Sequence, residues 1–414
     1  MLIVGIVGNA LIRGSFSPIL FQLKDISYST FSSYSLSIIP LFLLMGQFAT
    51  IGGMSQSLFK AAQTFIGHKK GGVAMAAVGA CAGFGAICGS SLATAGTMGQ
   101  VALPELKKQG YSGALATGAL AAGGTLGILI PPSVILVIYA IISEQNIAKL
   151  FIAAFVPGVM AMVGYLLVIK IMVTIKPALG GEVKEKASLS ERLDALKSVW
   201  PVLVVFIAVV GGIYFGIFTP TEAAAIGAIA TGLIAFFLGS LNRVAFIEAI
   251  ISTASATAMI FLIIFGASIF NSFLALSQLP QEIANFIAIQ GFSPWLVLWV
   301  ILGLYFIFGA FMDSLSMILL SVPIFYPIIM GMDFGLSPAE LGIWFGILIL
   351  VVVEVGLITP PVGLNLFIIN NLASGTPMID TYKGVLPFVL SDIIRVIILV
   401  AFPLISLFGV RLLF

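Results

Sequence analysis

The stretch GFGAICGSSLATAGT, Gly83 to Thr97, decides how this chain is read. It is a run of small and hydroxyl-bearing residues inside an otherwise apolar protein. A bilayer core holds no water for backbone N–H and C=O groups. A helix-weakening Gly/Ser turn at that depth survives only where it is buried in protein or lines a cavity. Such a turn offers carbonyl and hydroxyl oxygens to a small cation. It is therefore expected to form half of an ion and substrate site, the other half lying in a related copy further along.

Composition sets the class. The 414 residues are 60% hydrophobic and 8% charged, with a mean hydropathy of +1.21, against about 25% charged residues in soluble domains. The ten-residue alternation of membrane β-barrels is missing from the sequence, so the expected class is an all-α integral membrane protein whose partner is the lipid bilayer. At roughly 20 residues per crossing, the length allows about a dozen membrane elements. A net charge of +2 gives no support to a nucleic-acid partner. Cys81 and Cys88 sit seven apart in one apolar segment, as packed thiols rather than a disulfide. Met1 to Leu11 lacks the basic start of a cleavable signal.

Around the opening stretch the chain divides as follows. Residues 1–70 read as N-terminal scaffold helices and an interfacial arm: a segment 1–12 too short to cross, a Ser-rich loop 13–35, an apolar helix from Leu36 to Ile51, and an amphipathic arm 54–70 with Leu58, Ala61, Phe65 and Ile66 on one face. Residues 71–146 read as a first transport repeat. Its return limb, Ala93 to Leu103, is about 17 Å of helix before Pro104, too short to cross, so the segment is expected to be a re-entrant hairpin. Lys69, Lys70, Lys107 and Lys108 flank its feet and place them in the cytoplasm. The 35 residues from Ser112 to Asn146 are broken at Ile130-Pro131-Pro132-Ser133, since two prolines remove two backbone donors. Residues 147–291 read as central scaffold: a span from Ile147 to Ile175, a charged cytoplasmic loop 176–199, spans 200–218, 222–238 and 249–276, and a second arm 277–291. Residues 292–374 repeat the first pattern, with a hairpin interrupted at Gly309-Ala310-Phe311-Met312-Asp313-Ser314-Leu315-Ser316 and a helix broken at Thr359-Pro360-Pro361-Val362. Residues 375–414 read as a C-terminal scaffold helix.

The two copies echo each other: Gly85-Ala86 with Gly309-Ala310, Pro104 with Pro323, and Ile130-Pro131-Pro132 with Thr359-Pro360-Pro361. Five spans separate the hairpins, an odd number, so the second copy is inverted. Glu282 and Asp333, with no Lys or Arg, flank its feet, as suits the outer face. Paired, proline-interrupted helices in two inverted halves point to a secondary-transporter site at the membrane midplane.

The candidate sodium ligands are Gly89, Ser90, Gly127 and Ile130 in the first copy, and Ser314, Gly356 and Thr359 in the second. Sodium suits such hard, neutral oxygens and is the coupling ion expected; no cofactor is called for. Half-helix N-termini favour an anion between the turns. The substrate candidates are Ser91, Thr94 and Pro132 on one side, and Asp313, Ser316, Pro361 and Asn365 on the other. Asp313 is the ionisable residue best placed inside the bilayer, with Glu354 second. Glu222, after Thr219-Pro220-Thr221, reads as a helix N-terminal carboxylate. His68, the only histidine, reads as a surface residue, so Ser90 and Ser91 lack a base and an intramembrane enzyme is not expected.

The segments GSSLATAGTMGQVALPELKKQGYSGA and GGTLGILIPPSVILVIYA within 89–158, GAFMDSLSMILLSVPIFYPI (309–328) and LITPPVGLNLFI (357–368) resemble the large membrane subunit of TRAP transporters, over about residues 36–412. The resemblance implies a sodium-driven, ATP-independent importer in the bacterial inner membrane. Its substrate would be a small organic acid, of the sialic acid or four-carbon dicarboxylate class. It implies a periplasmic substrate-binding protein and a small four-helix membrane subunit as partners, and an elevator in which hairpins and broken helices slide against the other helices. The family usually begins with a complete hydrophobic helix, of which Met1 to Leu11 resembles the second half. The alternative is a stand-alone sodium/dicarboxylate symporter that needs no binding protein.

Overall fold

The structure is a computed structural model and describes residues 1–183 and 185–414. Twenty-one α-helices make up the described chain. Six of them are long and apolar enough to cross a membrane, or up to eight if each bent pair counts as one span.

At the N-terminus, α1 (Leu2–Arg13) runs beside the long α14 (Arg243–Ser277), with Gly5 against Phe270 and Gly8 against Phe273. The segment 13–35 is not a loop: Ser17–Phe31 forms α2, which turns back along the same helix. Its serines do not unwind it, because they bond to their own preceding turn (Ser27 Oγ to Leu23 O, 2.7 Å; Ser32 Oγ to Tyr28 O, 2.6 Å). Next come α3 (Ile38–Ile51) and the arm α4 (Met54–Ile66). The buried face of the arm is Met54, Phe59 and Ala61, whereas Phe65 is exposed. A neighbouring helix selects this face, since Leu58 packs on Gly83 of α5 (Gly72–Cys88). His68, expected at the surface, is half-buried.

The first hairpin pairs α5 with α6 (Ser91–Lys108). Its feet are closed by the Tyr111 hydroxyl, which accepts from Val73 N at 3.1 Å. The return limb does not stop at Pro104 but runs 18 residues to Lys108, about 27 Å. In apolar surroundings continued helix is the way to satisfy the backbone, so one proline is absorbed. The shortness of this limb is therefore no ground for re-entrance. Then α7 (Gly113–Leu129) and α8 (Val134–Ser143) meet at 44° across the expected break, with Pro131–Pro132 joined by a cis peptide bond.

The helix α9 (Ile147–Ile175) has the bounds expected for it. The charged loop that follows contains α10 (Leu189–Ser198), started by a Ser188–Glu191 capping box that the loop reading missed. The next span is α11 (Trp200–Phe206), carried by a π-turn into α12 (Gly212–Tyr214). In α13 (Pro220–Phe237), Glu222 closes a capping box with Thr219, as expected. Beyond α14 come α15 (Leu279–Gln290), α16 (Pro294–Gly309) and α17 (Ser314–Met330); the latter two form the second hairpin. Its feet are closed by Trp295 against Phe334, ring centroids 5.3 Å apart. The second broken helix is α18 (Pro338–Gly356) and α19 (Leu364–Leu372), with a cis bond between Pro360 and Pro361. The C-terminal region forms two helices, not one: α20 (Met378–Ala401) and α21 (Leu404–Leu413), parted at Phe402-Pro403.

The contacts show how the copies are arranged. Each broken helix starts at the feet of its own hairpin and passes the tip at its break. It then continues along the other hairpin. Thus α8 ends with Gln145 Nε2 donating to Tyr326 Oη of α17 at 2.9 Å. Likewise α19 runs along α6, where Ile369 and Leu372 cover Gly99, and Lys107 Nζ reaches Ser374 O at 3.4 Å. The hairpins therefore point at each other from opposite ends, the arrangement an inverted repeat requires.

In each copy a glycine of the first hairpin limb meets a glycine of the broken helix. A Cβ on Gly85 would lie 2.5 Å from Gly127 Cα, and one on Gly356 would lie 2.5 Å from Gly309 Cα. Gly85→Ala and Gly356→Ala are expected to lower the thermal midpoint, each costing about 1–3 kcal/mol by overpacking. Gly79→Ala and Gly303→Ala, with nothing within 4 Å of the new methyl, should stay near wild type. Thermal denaturation of the purified variants checks this.

Candidate functional site

Four helix breaks converge where the tips meet. In the first copy, Gly89 turns the tip at φ +64°, and a Cβ there would sit 3.0 Å from Pro132 O. The position thus needs glycine for both its backbone and its close approach. Its carbonyl accepts from Val134 N at 3.5 Å. In the second copy, Ala310 O accepts from Gly363 N at 3.2 Å, the same tip-to-break contact. Ser90 caps α6 by accepting from Ala93 N, Ser133 caps α8, and Asp313 caps α17 by accepting from Ser316 N at 3.0 Å. Three new helix N-termini are thereby satisfied close to the tips.

The sodium candidates of the first copy, Gly89, Ser90 and Gly127, come together: Ser90 O and the Thr94 hydroxyl crowd Gly127. Ile130 lies at the break, but its side chain packs against Gly158 of α9. In the second copy, Ser314 Oγ donates to Glu354 Oε1 at 3.0 Å, and Gly356 lies against Gly309. The Thr359 hydroxyl is committed to Val355 O at 2.7 Å, and Gly356 O accepts from Thr359 N at 3.0 Å.

Among the substrate candidates, Ser91 and Asp313 line a cavity of about 140 Å³ together with Gly89, Ser90 and Ser314. Its far wall is Leu43 of α3 and Met259 and Ile260 of α14. Thr94, Pro132, Ser316, Pro361 and Asn365 are not in its lining. Pro132 supplies the carbonyl beside Gly89, and the Ser316 amide binds the cap. Pro361 O accepts from Tyr382 Oη, and Asn365 Nδ2 reaches Ala121 O at 3.3 Å. Four buried oxygens gather near the tips: Ser91 Oγ, whose hydroxyl bonds the Glu354 carboxyl, Thr94 Oγ1 beside the Cys88 thiol, Glu354 Oε2 and Asn365 Oδ1.

Two functional-looking residues escaped the sequence reading. Asp392 and Arg395 on α20 are 1% and 4% exposed and form an ion pair at 2.9 Å. Tyr165 of α9 donates to Asp392 Oδ2 at 2.7 Å and lies 3.0 Å from the Thr125 hydroxyl of α7. The signal was present in the sequence: opposite charges at i and i+3 in an apolar helix, where a charge costs about 2.5–3.5 kcal/mol or more. Glu354 is fully buried, whereas Asp313 is only half-buried at the tip.

A sequence profile for the tripartite ATP-independent periplasmic transporter, DctM component, matches residues 1–405. The chain belongs to the DctM family. As a DctM-family chain it is a multi-pass membrane transporter permease, and its similarity extends to well-described relatives. It is 39% identical over 384 residues to a C4-dicarboxylate TRAP transporter large permease of Pseudomonas aeruginosa, covering 92% of this chain and 87% of that protein. It is 34% identical to an ectoine TRAP large permease of Halomonas elongata, covering 90% and 86%. With a sialic acid TRAP large permease of Vibrio cholerae it shares 31% identity over 90% of this chain and 85% of that one. Among solved structures, the YdaH transporter of Alcanivorax borkumensis has a similar fold, with a TM-score of 0.70 at 16% identity over 94% and 90% of the chains.

Removing one member of the buried pair leaves the other charge unpaired. Asp392→Ala is expected to cost about 3–5 kcal/mol, while Asp392→Leu combined with Arg395→Met recovers most of the loss. Thermal unfolding of the three proteins tests this; equal losses in the single and double variants would contradict it.

Proposed function

We propose that this chain is the permease of a sodium-driven importer of a small organic acid, of the four-carbon dicarboxylate or sialic acid class. It would work in a bacterial inner membrane. The observation that carries the reading is the convergence of both hairpin tips and both helix breaks on one cavity. Four helix N-termini (α6, α8, α17, α19) begin at these breaks and favour an anion by their dipoles. The C-terminal ends of α5, α7, α16 and α18 bring carbonyls suited to a cation. Gly89, Ser90 and Gly127 would edge one sodium site, with Ile130 at its break. Ser314, Gly356 and Thr359 would edge the other. Ser91 and Asp313 would face the substrate.

On this reading the transport step is a sliding of the two repeats, 71–146 and 292–374, against the N-terminal helices and the central helices after α9, which the cavity's position between the tips and the α3–α14 wall supports. The Gly118–Gly384 approach and the Tyr165–Thr125 contact extend the moving body to α9 and α20. On this reading the hairpins are re-entrant, with the first opening to the cytoplasm. The relatives' names support the substrate class, and the family's tripartite description supports a periplasmic binding protein and a small membrane subunit. A permease of Oleidesulfovibrio alaskensis named DctMQ, for isethionate, matches 98% of this chain with 62% of its own length, as a permease fused to its small subunit would.

Uptake of labelled organic acids into proteoliposomes, with the small subunit and binding protein supplied, tests the proposal. Import should require an inward sodium gradient and no ATP. Ser90→Ala together with Ser314→Ala should raise the sodium concentration for half-maximal uptake by about tenfold; an unchanged sodium titration would refute these sites. Cysteines at Ser91 and Ser316 should change in labelling between sodium-loaded and sodium-free protein, and constant labelling would exclude alternating access here.

A further inference from the structure

The helices away from the tips carry a groove that the transport site does not use. On the orientation proposed above, the chain crosses outward through α11 and α12 and back through α13. It thus returns to the cytoplasmic side at Arg243, where a basic residue belongs. Beside Arg243, α3, α13 and α14 leave a cavity of about 460 Å³. Ala228 and Gly232, one turn apart on α13, line it with Leu233, and the rings of Phe48 of α3 and Phe246 of α14 stack at its side, centroids 6.0 Å apart. Asn242 and Arg243, at one end, are its only polar lining among the described residues. From Phe236 to Ala228 the groove follows α13 for about 12 Å. That is close to the hydrocarbon depth of one leaflet, about 15 Å.

Arg243 is exposed and makes no ion pair or hydrogen bond among the described residues. Nor is it needed at the end of α13, whose last carbonyls are met within the turn. Ala235 O accepts from Ser240 N and Leu241 N, both at 3.1 Å, and Phe236 O accepts from Gly239 N at 2.9 Å. Arg243 opens the 35-residue α14. Asn242 caps that helix by accepting from Ala245 N at 2.9 Å, and the amides of Arg243 and Val244 have no acceptor within the helix. A guanidinium and a helix N-terminus thus stand at the mouth of an apolar groove with no carboxylate in its described lining. Their charge complements a phosphate, and the groove complements the acyl chain attached to it.

We propose that this groove holds an anionic phospholipid of the cytoplasmic leaflet. Its phosphate sits on Arg243 and the start of α14, and one acyl chain runs along Gly232 and Ala228. The same α3 and α14 carry Leu43, Met259 and Ile260, the wall that faces the hairpin tips, so the lipid braces that wall from its cytoplasmic end. The site is separate from the sodium and substrate sites proposed above.

The test uses the full chain in nanodiscs of phosphatidylcholine with added phosphatidylglycerol. Native mass spectrometry counts the lipids retained. Thermal unfolding reads their affinity, since a ligand of the folded state raises the midpoint. Wild type should retain one phosphatidylglycerol per chain in preference to phosphatidylcholine. Arg243→Gln should weaken that retention about fivefold, and Arg243→Lys should restore most of it. Leu233→Trp, which fills the groove and leaves the arginine in place, should abolish it. Retention that survives Leu233→Trp would mean attraction to surface charge alone and would overturn the groove, as would equal retention of the two lipids by wild type. Displacement of the lipid by the small membrane subunit, added to the nanodiscs, would also overturn the proposal and make the groove a helix-docking face. Each of these failures leaves the import reading standing.

Discussion

Everything in this fold depends on one constraint: a backbone group exposed at a break inside a bilayer has no water to bond to. The chain is broken at two hairpin tips and in two helices, and each break is satisfied by another. Gly89 O meets Val134 N, and Ala310 O meets Gly363 N, so neither a tip nor a break stands alone. The same pairing explains why the hairpins point at each other from opposite ends and why each broken helix serves both. Its first half belongs to its own hairpin, and its second half lies against the other.

Close approach makes this pairing possible. The Gly85–Gly127 and Gly309–Gly356 contacts bring backbones together, as membrane helices do where packing rather than water exclusion drives association. Such contacts fix two limbs as one rigid unit. Across the cavity the tips face an apolar wall of Leu43, Met259 and Ile260. The packing therefore holds the tips and the breaks together as one site.

The buried charges form a second layer behind the tips. Thr125, Tyr165, Asp392 and Arg395 link α7, α9 and α20, and Glu354 with Ser314 links α18 to α17. Sequence reading found Asp313 and Glu354 by their setting. The Asp392–Arg395 pair carries only a weaker mark, opposite charges three residues apart in an intact apolar helix with no break beside them. Sequence reading also misplaced elements where a local rule met an apolar neighbourhood. Serines did not unwind α2, Pro104 did not end α6, and the arm turned Phe59 inward because α5, not lipid, chose its face.

The residues themselves determined the class, the two copies and their breaks. Composition excludes a water-filled surround, consecutive prolines cannot continue a helix, and the spacing of Gly, Ser and Pro motifs recurs within one chain. These are local or additive properties, so they survive without coordinates. Which oxygens meet was decided only by the tertiary structure. Ser91 and Glu354 are far apart along the chain, and only the folding of two inverted hairpins onto each other brings them together. Whether a hydroxyl ends committed to its own helix, as Thr359 does, or beside a carboxyl group of the other repeat, as Ser91 does, follows from that packing. No spacing in the sequence encodes it.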